Sequence, residues 1–241
     1  MANQDTLKSS KPSFLQARLA RDHYLGLPLT TGILAVLCTA ALFALVALHA
    51  LNPGALPNLD QQIADWFHVR ASSSLTIAVL AFTHLHGTIG ILAMSALLAA
   101  RLIRDKAWVW LLLLLVSVPG GMLFNYGLKF IFQRVRPQFE QPILVLHSYS
   151  FPSGHTIGAA VFYSVLAAWL TTRPAGAQRR FPIVAAAVAL TVLTGLSRIY
   201  LGVHFFSDVI AAMLEGWGWF AFWTTIIFTI QRHQSTRMSS N

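Results

Sequence analysis

Long apolar segments constrain this 241-residue chain more than any other feature of its sequence. The six segments lie at about 28–51, 73–100, 107–130, 154–172, 182–200 and 205–230. Each approaches the roughly 20 residues that a helix needs to cross a bilayer, and only self-contained helices are stable in lipid as single segments. Charged residues make up 10% of the chain, compared with about 25% in soluble domains. The sequence therefore predicts an all-α membrane protein with a six-transmembrane-helix bundle at 27–230.

The distribution of charge predicts the orientation. With the N-terminus inside, the leader 1–26, two alternate loops and the tail 231–241 carry twelve of the seventeen Lys and Arg residues. Because cytoplasmic segments collect these cations, both termini are predicted to be cytoplasmic. Topology also accounts for the formal charge of +9, so no nucleic-acid partner is expected. The single cysteine excludes an intramolecular disulfide.

Three polar clusters stand where apolar segments end, and this topology puts all of them at the outer face. They are Lys129 with Arg136-Pro137; Pro152-Ser153-Gly154-His155; and Ser197-Arg198 with His204 and Asp208. A charge at membrane depth costs about 2.5–3.5 kcal/mol even on mild scales, so such a set indicates a function.

The cations suit a phosphate group. Arg136 and Arg198 offer planar forks of donors, and Lys129 adds a point charge. Ser153 and Gly154 open a predicted helix, whose first N–H groups bind anions. These five residues are the candidate phosphate-binding residues.

The histidines suit covalent catalysis. His204 and Asp208 are four residues apart, so they share a helical face. Asp208 can accept the proton of one imidazole nitrogen and leave the other free to attack phosphorus, which would give a phosphohistidine. His155 can protonate the leaving oxygen and later take a proton from water.

No metal and no cofactor are predicted. The chain has eight carboxylates, and only Asp208 belongs to the three clusters. Two-metal phosphatases need several converging oxygen ligands. The cations are expected to supply the positive charge instead.

The three clusters together resemble the signature of the type 2 phosphatidic acid phosphatase superfamily, with no departure at any signature position. The resemblance implies metal-independent hydrolysis of a lipid phosphate at the periplasmic face of a bacterial-type inner membrane. It assigns the same roles to the eight residues named above. Together with the outward-facing site, it favours undecaprenyl pyrophosphate as the substrate, with phosphatidylglycerophosphate and phosphatidic acid close behind. The oligomeric state is not predicted.

Other functions remain open at this point. The same site could act as a lipid A phosphatase or as a phosphotransferase that passes the phosphoryl group to a lipid acceptor. An anion transporter is a more distant alternative, since its charges would run through the bilayer and its helices would often be repeated.

Several residues outside the clusters carry smaller predictions. Segment 52–72 is expected to form a short amphipathic helix at the interface. Arg134 is a candidate for head-group contact. Glu215 is interpreted as the acceptor of a buried structural hydrogen bond, with a proton or substrate role as the alternative. His84 and His86 are expected to be packed or hydrogen-bonded.

Two further predictions concern chain segments. Pro119-Gly120-Gly121 is expected to interrupt the third span. His147 is interpreted as an ordinary residue of the outer loop.

Overall fold

The computed structural model describes Arg18 and residues 26–239, so most of the predicted leader lies outside the described residues. Within this part of the chain every regular element is a helix, as predicted. The helices are α1 Leu27–Ala50, α2 Ala55–Val69, α3 Ser73–Leu85, α4 Thr88–Arg104, α5 Trp108–Phe132, α6 Gly154–Thr172, α7 Pro174–Ala177, α8 Arg180–Tyr200 and α9 Phe206–Ser239. The last helix therefore continues beyond 230, where the sixth apolar segment ends.

Five helices are long and apolar enough to cross a membrane: α1, α5, α6, α8 and α9. The pair α3 and α4 forms the remaining candidate span, with a bend of 51° between them. The second predicted span is thus broken. Gly87 caps α4 with an extended backbone, ψ 175°, so the helix cannot continue through it.

The Pro119-Gly120-Gly121 segment does not interrupt the third span, contrary to the prediction. α5 continues through Pro119 to Phe132. The two glycines instead make room for an indole ring, because a Cβ on Gly120 or Gly121 would stand 3.2 or 3.1 Å from Trp219.

α6 lies at the centre of the bundle and packs against α4, α5, α8 and α9. Small residues let the helices approach closely: a Cβ on Gly216 of α9 would stand 2.7 Å from Ala160 of α6. Close approach of this kind is the main source of helix association in lipid. α1 lies at the periphery on α9, and its Leu34 and Leu37 are largely exposed.

The predicted amphipathic helix is present as α2. Its Ile63 and Phe67 pack against the apolar cluster formed by Ile199 and Val209. α2 therefore covers the same end of the bundle at which α5 ends, α6 begins and α8 gives way to α9.

Candidate active site

The three sequence clusters meet at this end of the bundle. Arg136, beyond the end of α5, donates to the Val203 carbonyl and to His204 Nε2, which lies 3.2 Å from Nη1. The Ser153 N–H, just before α6, donates to the Asp208 carbonyl at 3.1 Å. Each cluster therefore contacts the residues of another.

The tautomer of His204 follows from its two neighbours. A guanidinium has only donors, so Nε2 must accept from Arg136 and Nδ1 must carry the proton. Nδ1 lies 3.2 Å from Asp208 Oδ2, which also accepts the Phe205 N–H at 2.9 Å. The lone pair of His204 thus lies at Nε2, on the side of the cations.

Burial lowers the pKa of the His204 imidazole well below its ordinary value. The positive charges of Arg136, Lys129 and Arg198 act in the same direction. Since a neutral imidazole is the nucleophilic form, this environment keeps His204 ready to attack at neutral pH.

The donors of the Arg136 guanidinium all bond to groups of the protein. Nε and Nη2 donate to the Ser148 carbonyl and hydroxyl and to the Tyr149 carbonyl at 2.7–3.0 Å. Nη1 serves Val203 and His204. With five donors and five acceptors, Arg136 joins the loop after α5 to the nucleophile and contributes its charge to the site.

Lys129 is used in a similar way. Its ammonium donates to the carbonyls of Tyr149, Ser150 and Pro152 at 2.9, 3.2 and 2.6 Å. These three bonds account for all three ammonium protons. Lys129 therefore fixes the segment that leads into Ser153 and acts on the site as a buried charge.

Arg198 keeps donors for a ligand. It is 2% exposed, and its Nη1 donates to Thr83 Oγ1 at 2.8 Å. Its Nε is buried without a hydrogen-bond partner among the described residues. A buried donor left unpaired is costly, so an acceptor such as a phosphate oxygen is expected there.

The start of α6 offers a second set of donors. The Ser153 side chain does not cap the helix; its hydroxyl accepts from Thr156 at 2.9 Å. A Cβ on Gly154 would meet nothing closer than Asn125 Oδ1 at 3.6 Å, so the protein itself does not demand glycine. The space that glycine leaves suits the close approach of an anion to the first N–H groups.

His155 lies on the first turn of α6 and is partly exposed. Its Nε2 faces the break between α3 and α4, where a Cβ on Gly87 would stand 3.4 Å away. The bend in the second span thus leaves room for the imidazole. His147 is exposed in the loop between α5 and α6.

The interpretation of Arg134 as a head-group contact is wrong. Its two terminal nitrogens face carboxylates, with Nη1 2.6 Å from Asp208 Oδ1 and Nη2 2.8 Å from Asp60 Oδ2. Asp60 is fully buried. The site therefore holds two carboxylates, whereas the sequence had suggested only Asp208. Thr83 and Asp60 are the residues in contact with this site that sequence reasoning missed.

Within the described part of the chain no three His, Cys, Asp or Glu side chains are grouped as metal ligands would be. The absence of a metal remains a prediction. The predicted hydrogen bonds of Glu215 and His86 are present, whereas His84 is exposed, and the structural role of Glu215 stays a prediction. Glu215 Oε2 accepts from Asn125 at 2.8 Å, and His86 bonds to Phe82 and Tyr163 at 2.9 and 2.8 Å.

Comparison with known proteins agrees with this geometry. Phosphatidylglycerophosphatase B of Bacillus subtilis is 33% identical over 177 residues, which cover 73% of this chain and 86% of that protein. The lipid A 1-phosphatase of Rhizobium etli is 29% identical over 137 residues, and the chain spans about half of its length, 51%.

Solved structures show the same fold. The phosphatidylglycerolphosphate phosphatase of Bacillus subtilis superposes with a TM-score of 0.73 at 30% identity, covering 79% of this chain and 94% of that one. LpxE of Aquifex aeolicus gives a TM-score of 0.57 at 22% identity over 69% of this chain and 94% of its own, a likeness of fold alone. The model of the PAP2 superfamily matches residues 107–232, which contain all three clusters, and the chain belongs to this superfamily of membrane lipid phosphatases.

Proposed function

We propose that the chain hydrolyses phosphatidylglycerophosphate or a closely related lipid phosphate through a phosphohistidine on His204. The single observation that carries the proposal is the arrangement around this imidazole. Its Nδ1 faces Asp208, its Nε2 faces the cations, and burial and charge hold it neutral. Such an arrangement activates a nitrogen nucleophile for attack on a phosphoryl group.

In the first step, the Nε2 lone pair of His204 attacks phosphorus and the bond from phosphorus to the lipid oxygen breaks. His155 gives its proton to that oxygen, which leaves as the lipid alcohol. The negative charge on the equatorial oxygens is stabilised by donors of Arg198, by the first N–H groups of α6 and by the charges of Lys129 and Arg136.

In the second step, water attacks phosphorus while His155 takes one of its protons. The bond between Nε2 and phosphorus breaks, and the electron pair returns to His204. Inorganic phosphate leaves. The sum of both steps is lipid phosphate plus water giving lipid alcohol plus phosphate.

The charge distribution supports an orientation with both termini in the cytoplasm and the active site at the periplasmic face. A site at the end of the bundle suits a substrate whose head group reaches the membrane surface while its apolar chains stay in the bilayer. The name of the Bacillus subtilis relative favours phosphatidylglycerophosphate as the first substrate to test. Undecaprenyl pyrophosphate, phosphatidic acid and lipid A 1-phosphate are the other arms.

The experiment measures phosphate release by the purified full-length protein in detergent with EDTA, over this panel of lipids. We expect release from at least one lipid, loss of activity in His204→Ala, and full activity in His147→Ala. His147 is the matched control, since it is an exposed histidine at the same end of the molecule. Activity that is abolished by EDTA, or retained by His204→Ala, would refute the mechanism.

A further inference from the structure

A second buried network adjoins the nucleophile through Asp208. It consists of Asp60, Arg134, Ser207 and Asp208, called here the ion-pair cluster. Asp60 and Asp208 are fully buried and Ser207 is 1% exposed. Two buried carboxylates that face one guanidinium need an explanation, because buried charges are costly unless each is paired.

Apart from the bond between Arg134 and Asp60, every contact in the ion-pair cluster involves Asp208 or Ser207, the residue before it. Asp60 accepts the Ser207 N–H at 2.9 Å and the Ser207 hydroxyl at 2.5 Å. Arg134 Nη1 donates to Ser207 Oγ at 2.7 Å and to Asp208 Oδ1 at 2.6 Å, and Nη2 donates to Asp60. One guanidinium thus ties a residue of α2 to the first turn of α9.

The Arg134 side chain is largely buried and packs against an aromatic ring. It is 10% exposed, and its guanidinium lies 4.4 Å from the centre of the Phe205 ring. The same Phe205 donates its N–H to Asp208 Oδ2. Both oxygens of the Asp208 carboxylate are therefore held, one by Arg134 and the other by Phe205 and His204.

We propose that Arg134, held in place by Asp60 of α2, is a positioning residue that orients and charge-balances Asp208 for its work on His204. The inference rests on the proposed function, since it needs His204 as nucleophile and Asp208 as its partner. It gives Asp60 of the surface helix α2 a supporting role in catalysis: without Asp60, Arg134 loses one of its two carboxylate partners and Ser207 loses an acceptor.

The proposal is tested by a double-mutant cycle on kcat and KM, with Asp60→Asn, Arg134→Met and the pair together. We expect Arg134→Met to lower kcat by about 10- to 100-fold, as is usual for partners that orient a catalytic group. KM should stay within about threefold, because both terminal nitrogens of Arg134 are bonded to protein acceptors. Asp60→Asn should cost less, since its amide oxygen can still accept from Ser207 or Arg134.

The sign of the coupling is the sharpest expectation. Arg134→Met leaves the Asp60 and Asp208 carboxylates buried together without their shared cation. Adding Asp60→Asn removes one of these charges, so the double variant should be about threefold or more better in kcat than Arg134→Met alone. Independent structural roles would instead give losses that multiply.

A purely structural role of Arg134 would not shift the pH profile of kcat/KM, so this profile is a separate test. Without the Arg134 charge, the negative charge of Asp208 is no longer offset, and the protonated form of the His204 imidazole is favoured. The acid limb of kcat/KM should therefore move to higher pH. The other charged or titratable groups that act on this imidazole are unchanged in the variant: Arg136, Lys129, Arg198 and His155.

Matched controls are available on the same face of the protein. Asp65→Asn changes an exposed aspartate of α2, and Arg70→Met changes an exposed arginine just after it. Both should leave kcat, KM and the pH profile as in the wild type. Thermal unfolding in detergent shows whether each variant is folded. If Arg134→Met cannot be recovered, Asp60→Asn alone should lower kcat by a few-fold at constant KM. Its acid limb should move to lower pH, because this variant removes a negative charge near His204 and keeps the Arg134 cation.

Three results would overturn the proposal: wild-type kcat in folded Arg134→Met or, if that variant fails, in Asp60→Asn; a raised KM at unchanged kcat; or multiplicative losses in the double variant. Failure of the proposed function looks different, because then the wild-type protein releases no phosphate from any lipid or His204→Ala keeps its activity.

Discussion

Asp208→Asn is the change that tests the active site most directly, because it removes a charge and keeps the shape. The carboxylate receives buried donors at both oxygens. Oδ1 accepts from Arg134 at 2.6 Å, while Oδ2 accepts the Phe205 N–H at 2.9 Å and faces His204 Nδ1 at 3.2 Å. An amide has one oxygen and one NH2 group, so it cannot satisfy both ends.

Each orientation of the amide puts its NH2 group against a donor, and only one of them keeps the reactive tautomer of His204. With its oxygen toward Phe205 and His204, the NH2 group opposes the Arg134 guanidinium. With its oxygen toward Arg134, the NH2 group opposes the Phe205 N–H, and His204 can be accommodated only by moving its proton to Nε2. That nitrogen then has no lone pair for attack and meets a donor of Arg136 at 3.2 Å.

The magnitude follows from the burial of the pair. Removing one partner of a buried charge pair costs about 3–5 kcal/mol. If the transition state loses the same stabilisation, the rate falls by about 10²- to 10⁴-fold at 1.36 kcal/mol per factor of ten. In the wild type, the imidazole gains positive charge during attack, and the fully buried Asp208 carboxylate beside it stabilises this charge.

The assay is the initial rate of phosphate release at saturating lipid, with thermal unfolding in detergent to show that Asp208→Asn is folded. Asp65→Asn is the matched control, since Asp65 is exposed and bonded only to Gln61 in the described structure. A folded Asp208→Asn variant that keeps more than a tenth of the wild-type kcat would refute the argument that Asp208 fixes the reactive tautomer.

Two further predictions concern pH and phosphate binding. Because the pKa of His204 is lowered, the imidazole stays unprotonated as the pH falls through the ordinary histidine value of about 6.5, and kcat/KM, corrected for ionisation of the substrate, should decline only below it. An acid limb centred at or above pH 6.5 would contradict this. Thr83→Val removes the acceptor of Arg198 Nη1 and should raise KM by about 5- to 100-fold, from about 1–3 kcal/mol for an unpaired buried donor. Unchanged KM would mean that Thr83 does not orient Arg198, and Thr76→Val, at a hydroxyl that bonds to Tyr200 instead, is the control.

Local patterns in the sequence were enough to predict most of the site. Spacing alone puts His204 and Asp208 on one face, and the structure brings them within hydrogen-bond reach. The helix-start residues Ser153 and Gly154 likewise need only the next few residues for their geometry. The number of spans follows from hydropathy, since each apolar segment must cross by itself.

The missed residues come from distant parts of the chain. Thr83 lies 115 residues from Arg198, and threonine is unremarkable in a membrane helix. Asp60 did carry a signal: it falls on the apolar stripe of α2, four residues after Leu56 and three before Ile63. A carboxylate on that stripe must be buried when the helix docks, and therefore paired. Its partner Arg134 could not be found without the fold.

The break between α3 and α4 shows a different limit. The sequence from 73 to 100 is apolar enough to be one span, and hydropathy does not register where a helix bends. The bend leaves space beside Gly87 for the His155 ring, and Thr83 at the end of α3 reaches Arg198. A straight helix of the same composition would lose both contacts, so composition alone does not predict the bend.

Lys129 and Arg136 bond to the backbone of the loop and also supply positive charge to the site. Segment 133–153 is not helical, so its carbonyls would lack partners near the bilayer unless other groups bonded to them. Lys129 donates all three of its protons to these carbonyls. Arg136 donates to two of them and, through its other protons, to the Ser148 hydroxyl, Val203 and His204. Their charge remains at the site after their donors are used, because hydrogen bonds to neutral carbonyls do not cancel it. The three signature cations are therefore not equivalent. Lys129 and Arg136 hold the backbone of the loop and contribute charge, and we expect Arg198, whose Nε has no partner among the described residues, to bind the phosphate directly.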